Sequence, residues 1–482
     1  MIPPQLNVSP NETVVKPSQH RATLGTPVID CVDLQRATFS LSDAIAYAMR
    51  NSPRLRSARA AIERARGQEQ VAFAPFLPQI ALLGQYGVVS GTFAPGIPGN
   101  EGFILPSGTE TRRYAQTEFG LEWTLYDFGR TGGRYRQAIA RELITELQLA
   151  RAEQTVAFDV ATAYLDVLLG RASRRVQEDA VRRAEAILED TVARRKGGVA
   201  LKDDVLRAEV QLSESREALV LARQREWDAV ARLNNAMGRN AAWPLEVIDL
   251  EVQPPLPGPL AALLEQAAAL RPEVALVRQA VTAAQDGRQA ARGEFLPRIY
   301  ARAAAGHTDG QNVVTGWQEG AGLHVEVPLY AGGRHRGELR SAEADIEAAV
   351  ADAQTILDAI SLQMNLAYRA VVSAQERVGL ARPAVEQSAE ALRIVRQRYR
   401  AGTATPTDVI DAETAATRAE QRYVSARVEY LSALAQLAYA MGGDPDRQLG
   451  LPLTRPGEDG RPPAEPPAKL PMPRPISDRP RP

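Results

Sequence analysis

The chain of 482 residues contains one cysteine, Cys31, so it can close no internal disulfide and build no thiolate metal cluster of its own. Its four histidines, His20, His307, His324 and His335, fall at no ligand spacing, and His324 with Glu326 asks for nothing more than a polar strand face. Aromatic residues are only 5% of the chain, and Ala, Arg, Glu, Gln and Leu dominate the long segments, a balance that favours long helices over a thick conventional core. Charged residues make up 24% and nearly cancel, leaving a net charge of −1, which removes any electrostatic case for a nucleic-acid partner. No stretch reaches the eighteen apolar residues of a membrane helix. The first thirty residues show no charged start followed by an apolar block, so no secretory signal is read in them. Asp30 and the lack of an apolar run before Cys31 argue against a lipidated N-terminus there. Nor is there a nucleophile elbow, a phosphate-binding glycine loop or a metal signature, so we expect neither an enzyme nor a cofactor.

What the chain does contain is itself, twice. Pro53 recurs as Pro272, and Phe76-Leu77-Pro78-Gln79-Ile80 recurs as Phe295-Leu296-Pro297-Arg298-Ile299, each 219 positions later. Beyond this the step becomes 204, joining Leu125-Tyr126 to Leu329-Tyr330, Ala163-Tyr164 to Ala367-Tyr368, Asp204-Val205 to Asp408-Val409, and Ala236-Met237-Gly238 to Ala440-Met441-Gly442. A fixed offset over more than a hundred residues marks an internal duplication. The change of step puts fifteen extra residues between Ile80 and Leu125 of the first copy, which locates a variable loop.

The division that follows is an extended Pro-bearing arm at 1–37, a first repeat at 39–238, a linker at 239–257, a second repeat at 258–442, a short segment at 443–452 and a disordered Pro-rich tail at 453–482. Within each repeat, helical spacing gives way to alternation after a proline. Strands are expected at about 79–89 and 114–126 around a loop at 90–113, and again at about 298–306 and 318–330. Phe119, Leu121, Trp123 and Leu125 share one face against Glu118, Gly120, Glu122 and Thr124; Ala321, Leu323, Val325, Val327 and Leu329 repeat the pattern against Gly322, His324 and Glu326. Nine to eleven alternating residues suffice for a tilted strand to cross a bilayer. The aromatics Trp123, Tyr126, Phe128, Tyr300, Trp317 and Tyr330 gather at strand ends, as in the belts at bilayer interfaces.

After the strands the sequence predicts an uninterrupted helix from about Gly133 to Lys196, on the order of 100 Å long. Turns at 197–204 and 401–408 reverse the chain into returning helices ending at Met237 and Met441. Two hairpins give only four strands, and an open sheet in lipid leaves unpaired backbone groups at several kcal/mol each. Other subunits must close the edges, and three chains would make a barrel of twelve strands.

In the order and spacing of its FLPxI segments, its LYDFGR and LYAGGR segments and its turns at 194–209 and 398–413, the chain resembles the outer-membrane efflux factor (TolC) family. The resemblance covers about 39–443. It implies a mainly α fold with a membrane β-barrel: a homotrimer in which two internal repeats per chain give two strands each to a 12-stranded barrel, continued by long tunnel helices across the periplasm of a Gram-negative cell. It implies outer-membrane lipid, a periplasmic adaptor protein and an inner-membrane pump of RND or ABC type as partners. The function implied is a passive exit duct for efflux or type I secretion. Residues 239–257 and 443–452 match the belt around the tunnel's middle.

The resemblance also assigns roles at the turns. Asp408 and Asp411 match acidic residues lining the tunnel's narrow end, six carboxylates in a trimer, where mutual repulsion raises their pKa values and cations are drawn in. For Asp408 a helix N-cap is the plainer alternative, as for Asp204. Tyr399 and Asp204 match a contact that holds the tip closed. The best-known member has a latch arginine where this chain has Ala404, with Asp203 in its partner's place, so that second latch is missing. Gly198, Val199, Ala200, Gly402, Thr403 and Ala404 match the surface offered to the adaptor. A soluble coiled-coil scaffold is the competing reading. The helices alone would satisfy it, but it has no use for the alternating hairpins.

Overall fold

The computed structural model describes residues 37–92, 109–250, 258–311 and 315–443. The arm before Ala37, most of the first loop, the end of the linker and the tail after Gly443 lie outside the described residues. The chain begins with a short strand β1 (Ala37–Phe39), then α1 (Leu41–Asn51) and α2 (Pro53–Phe73). Ser40 caps α1 by accepting the Asp43 N–H at 3.2 Å, and Pro53 occupies the first turn of α2, where no N–H is needed. A single 3₁₀ turn leads into β2 (Gln79–Thr92) and β3 (Thr109–Tyr126). Next come α3 (Arg130–Lys196) and α4 (Lys202–Met237), β4 (Leu245–Val247), α5 (Leu260–Leu270) and α6 (Pro272–Gly293). The second copy continues with β5 (Arg298–Gln311), β6 (Gly316–Glu326), α7 (Arg334–Arg400) and α8 (Pro406–Met441).

The four long strands form one antiparallel sheet in the order β2-β3-β5-β6. Its two hairpins meet through β3 and β5, with Phe119 opposite Ala305 and Leu121 opposite Ala303. Both outer strands are open edges within the chain. At the other end, α3 turns into α4 and α7 into α8, giving two helical hairpins that run away from the sheet. Each of α3 and α7 has 67 residues, so each is a rod of about 100 Å. Pro383 lies inside α7.

Several boundaries differ from expectation. β6 stops at Glu326 rather than 330, because Pro328 has no N–H to give a ladder; Val327, Leu329 and Tyr330 therefore leave the sheet. β2 and β5 run on to Thr92 and Gln311, and β3 begins at Thr109, because the polar ends of these strands still pair. α3 starts three residues early, at Arg130, from Gly129 in the left-handed region.

The main core lies half-way down the helices. Val156, Val160, Tyr164 and Leu165 of α3 pack there with Leu41 and Leu55, Leu233 and Met237, Met364 and Leu437. The linker adds an unexpected element: β4 pairs in parallel with β1, Ala37 to Leu245 and Phe39 to Val247. The buried Tyr164 fastens it. Its hydroxyl lies 2.7 Å from the Ile248 carbonyl and accepts the Ile248 N–H at 3.0 Å, and burial pushes its pKa up to about 12.

Candidate functional site

The two helical turns farthest from the sheet are built alike. In the first, the Val199 N–H bonds the Arg194 carbonyl at 3.0 Å; in the second, the Thr403 N–H bonds the Arg398 carbonyl at 2.9 Å. This six-residue closure needs a left-handed residue, supplied by Gly198 at φ +73° and Gly402 at φ +76°. A Cβ at either glycine would meet only open space. Val199 is 74% exposed, Thr403 is exposed, and Ala200 and Ala404 are half-buried behind them. The six residues therefore make up two adjacent knuckles of small side chains.

Asp408 is not the cap of α8. Thr405 is: its hydroxyl accepts the Asp408 N–H at 3.2 Å while Asp408 Oδ2 accepts the Thr405 N–H at 2.8 Å, a reciprocal capping box. The Thr405 backbone N–H, helped by the Thr405 hydroxyl, holds the Asp408 carboxyl below the usual carboxylate range. Within one chain this opposes the rise expected from a ring of like charges. Asp204 likewise sits in the third position of α4, not at its cap. It accepts the Leu201 N–H at 3.0 Å, but Leu201 has no hydroxyl to return the bond. Asp408 and Asp411 are both exposed, a helical turn apart.

Tyr399 and Asp204 do not meet within the chain. Tyr399 is buried in a small cluster with Ile187, Ala208 and Val409, its hydroxyl 3.4 Å from Thr191 Oγ1 and its ring 4.0 Å beneath the Arg194 guanidinium. Among the described residues Asp204 bonds only its own helix start. What does bridge the two tips is Arg207 of α4, 3.2 Å from Thr407 of α8.

About two turns above this lies a group the sequence did not single out. Glu413 of α8 is 2% exposed and receives Arg183 of α3 and, at 2.9 Å, Arg396 of α7. Arg183 also reaches Thr417 at 3.1 Å and Glu420 at 3.1 Å, tying three helices together. Burial, joined by the nearby Glu420 charge, holds the Glu413 carboxyl above its usual range despite the two arginines. A buried glutamate one repeat from an exposed one, Glu209, carries no signal in spacing alone.

The sheet has two unlike faces. Ile80, Leu82, Tyr86, Phe119, Leu323 and Val325 lie on one, all at least half exposed. The other carries the ion pairs of Arg298 with Glu122 and of Arg302 with Glu118 at 3.9 Å. Trp123 and Tyr126 lie on the apolar face near the helical end, and Tyr126 meets Phe128 edge-on at 4.7 Å. Trp317 lies on that face at the far end, opposite His307, and Tyr330 is 88% exposed beyond β6. Tyr300 does not join them. It pairs with His324 on the polar face, their rings stacked at 5.1 Å, because its even position in β5 points it with Arg298 and Arg302.

An apolar band on a sheet continued by rods of about 100 Å is matched by known proteins. The sequence profile of the outer membrane efflux protein family covers residues 44–239 and 263–443. The chain belongs to that family. It is 23% identical to the outer membrane efflux protein BepC of Brucella suis over 86% of this chain and 88% of BepC. It is 24% identical to the alkaline protease secretion protein AprF of Pseudomonas aeruginosa over 67% of this chain and 68% of AprF. The outer-membrane channel OprN superimposes with a TM-score of 0.74 at 21% identity, covering 84% of this chain and 90% of OprN; CusC gives 0.72 at 19%, covering 84% and 92%. This efflux protein is thus an outer-membrane channel with a TolC-like fold and a periplasmic tunnel, from a family of transporters rather than enzymes.

Proposed function

We propose that three copies close into a single duct that passively carries substrates from an inner-membrane pump and a periplasmic adaptor to the cell exterior. One observation carries this reading: a four-stranded sheet with an exposed apolar face and two unpaired edges, which lipid tolerates only when closed. A soluble scaffold leaves that face without a purpose. The family's relatives include an efflux protein and a protease secretion protein, and in this reading the choice of cargo belongs to the pump.

In this assembly Asp408 and Asp411 ring the narrow end and draw cations toward it. Tyr399 and Asp204 meet only if the tip rearranges or a neighbouring chain supplies the partner. Gly198 to Ala200 and Gly402 to Ala404 receive the adaptor, and Trp123, Tyr126, Phe128, Trp317 and Tyr330 sit at the lipid interfaces. The test is conductance in planar bilayers. Asp408→Ala with Asp411→Ala is expected to weaken block by multivalent cations added at the tip side by at least tenfold. Unchanged block removes both residues from the pore, and a monomer in mild detergent rejects the duct.

A further inference from the structure

The duplication allows a joint that lies between chains to be read from one that lies within the chain. In sequence, α2 leads into β2 and α3 leaves β3; α6 leads into β5 and α7 leaves β6. Side by side the helices run α2, α3, α6, α7, with contacts between each neighbouring pair. The next contact in the series, α7 against an α2, must come from another copy, just as β6 must pair with another copy's β2. The offsets of 219 and 204 map the visible α3–α6 joint onto that missing one residue by residue.

The α3–α6 joint rests on a close approach. A Cβ on Gly133 would lie 2.7 Å from the Ala290 nitrogen and 2.8 Å from the Asp286 carbonyl oxygen. Beside it, Arg136 bonds Gln289 Oε1 at 2.8 Å and Asp286 at 2.8 Å. The counterparts are Gly337 for Gly133, Val71 for Ala290, Gly67 for Asp286, Arg340 for Arg136 and Gln70 for Gln289. Each is left open in the single chain. Gly337 and Gly67 have nothing within 4 Å of a built Cβ, Val71 is 74% exposed, and Arg340 and Gln70 are exposed.

We infer that Gly337 of one chain packs onto Val71 and Gly67 of the next, with Arg340 donating to Gln70 of that chain, so that the subunit seam repeats the internal joint. This rests on the trimeric reading above. The strands provide an independent check of register. The observed pair Phe119–Ala305 maps to Leu323 opposite Tyr86 of the next chain. Both already lie on the apolar face, 66% and 73% exposed, whereas a slip of one residue would set an apolar side chain against the polar face. The correspondence is not complete. Glu294, which takes Arg134 at 2.6 Å in the internal joint, maps to Pro75, and Arg134 itself maps to Glu338. The seam therefore depends on the small-residue approach and the Arg–Gln bond.

The test uses the full chain with Cys31→Ser, purified in mild detergent. Arg340→Cys with Gln70→Cys, oxidised or treated with a short bismaleimide, is expected to give covalent dimers and trimers on a reducing-agent-free gel. Neither single variant should do so. A trimer by light scattering in which the pair fails to crosslink overturns this seam and leaves the trimeric reading standing; a monomer overturns both. Gly337→Leu is expected to lower the trimer fraction at least tenfold with unchanged helical circular dichroism, and undiminished trimers would count against the close approach.

Discussion

α3 and α7 have equal length, matched ends and a common origin, yet α3 buries eighteen residues and α7 only eight. The difference is one of position. α3 lies in the middle of its chain's helices, between α2, α4, α6 and α8, whereas α7 lies at the edge with α6 and α8. Exposed Leu357, Leu362, Leu366 and Leu380 along α7 are therefore not a defect of the second copy. On the trimeric reading proposed above, they are the surface that a neighbouring subunit covers. Two copies of one plan inside a chain thus separate what a repeat needs from itself and what it needs from its neighbours.

The sharpest way to break this comparison is at the paired glycines. Gly133→Leu forces a side chain into backbone at 2.7 Å and should cost the chain itself about 3 kcal/mol or more, seen as a lowered thermal midpoint and poor recovery of folded protein. If Gly133→Leu and Gly337→Leu instead behave alike, with the chain folded in both, internal and external joints are not equivalent.

Next in size is the pair Glu413 and Glu209, one repeat apart. Glu413→Ala takes the carboxylate from Arg396 and leaves Arg183 only Glu420 and Thr417; it should cost roughly 2–3 kcal/mol, less than a fully buried pair because Arg396 is partly exposed and Arg183 keeps a partner. Glu209→Ala, on an exposed face, should stay within about 0.5 kcal/mol in the same denaturation experiment. A smaller contrast lies at the two caps. Thr405→Ala should cost about 1 kcal/mol, and Leu201→Thr, which completes the first copy's box with Asp204, should gain a few tenths to about 1 kcal/mol.

The smallest effect is one of pH. Asp408 has its folded pKa depressed, so its stabilising contribution is present above the unfolded value of about 3.9 and is lost as pH falls through the lower folded value. NMR titration should therefore show Asp408 protonating at lower pH in wild-type protein than in Thr405→Ala.

Sequence reasoning saw the architecture because the architecture is periodic. Alternation at Phe119 to Leu125, glycines at 198 and 402 and the repeat itself are local signals with one physical meaning each. It overran β6 because Val327 and Leu329 keep the period while Pro328 silently removes the donor. It misplaced Tyr300 because an aromatic near a strand end says nothing of which face it takes. It passed over Glu413 because burial of that residue is decided by α3, from 230 positions away. The pairing of β1 with β4 escaped because three residues on either side are too few to show a period.

The two hairpins also differ in how far their own strands stay paired. The β2–β3 ladder continues to Thr92 opposite Thr109, whereas β5–β6 pairing ends at Thr308, three residues short of Gln311, the counterpart of Thr92. Over those last three residues β5 still pairs with β3, Gln311 lying opposite Arg113. Among the described residues, Asp309 to Gln311 are therefore laddered from one side only, and the far rim of the sheet hangs there on a single neighbour.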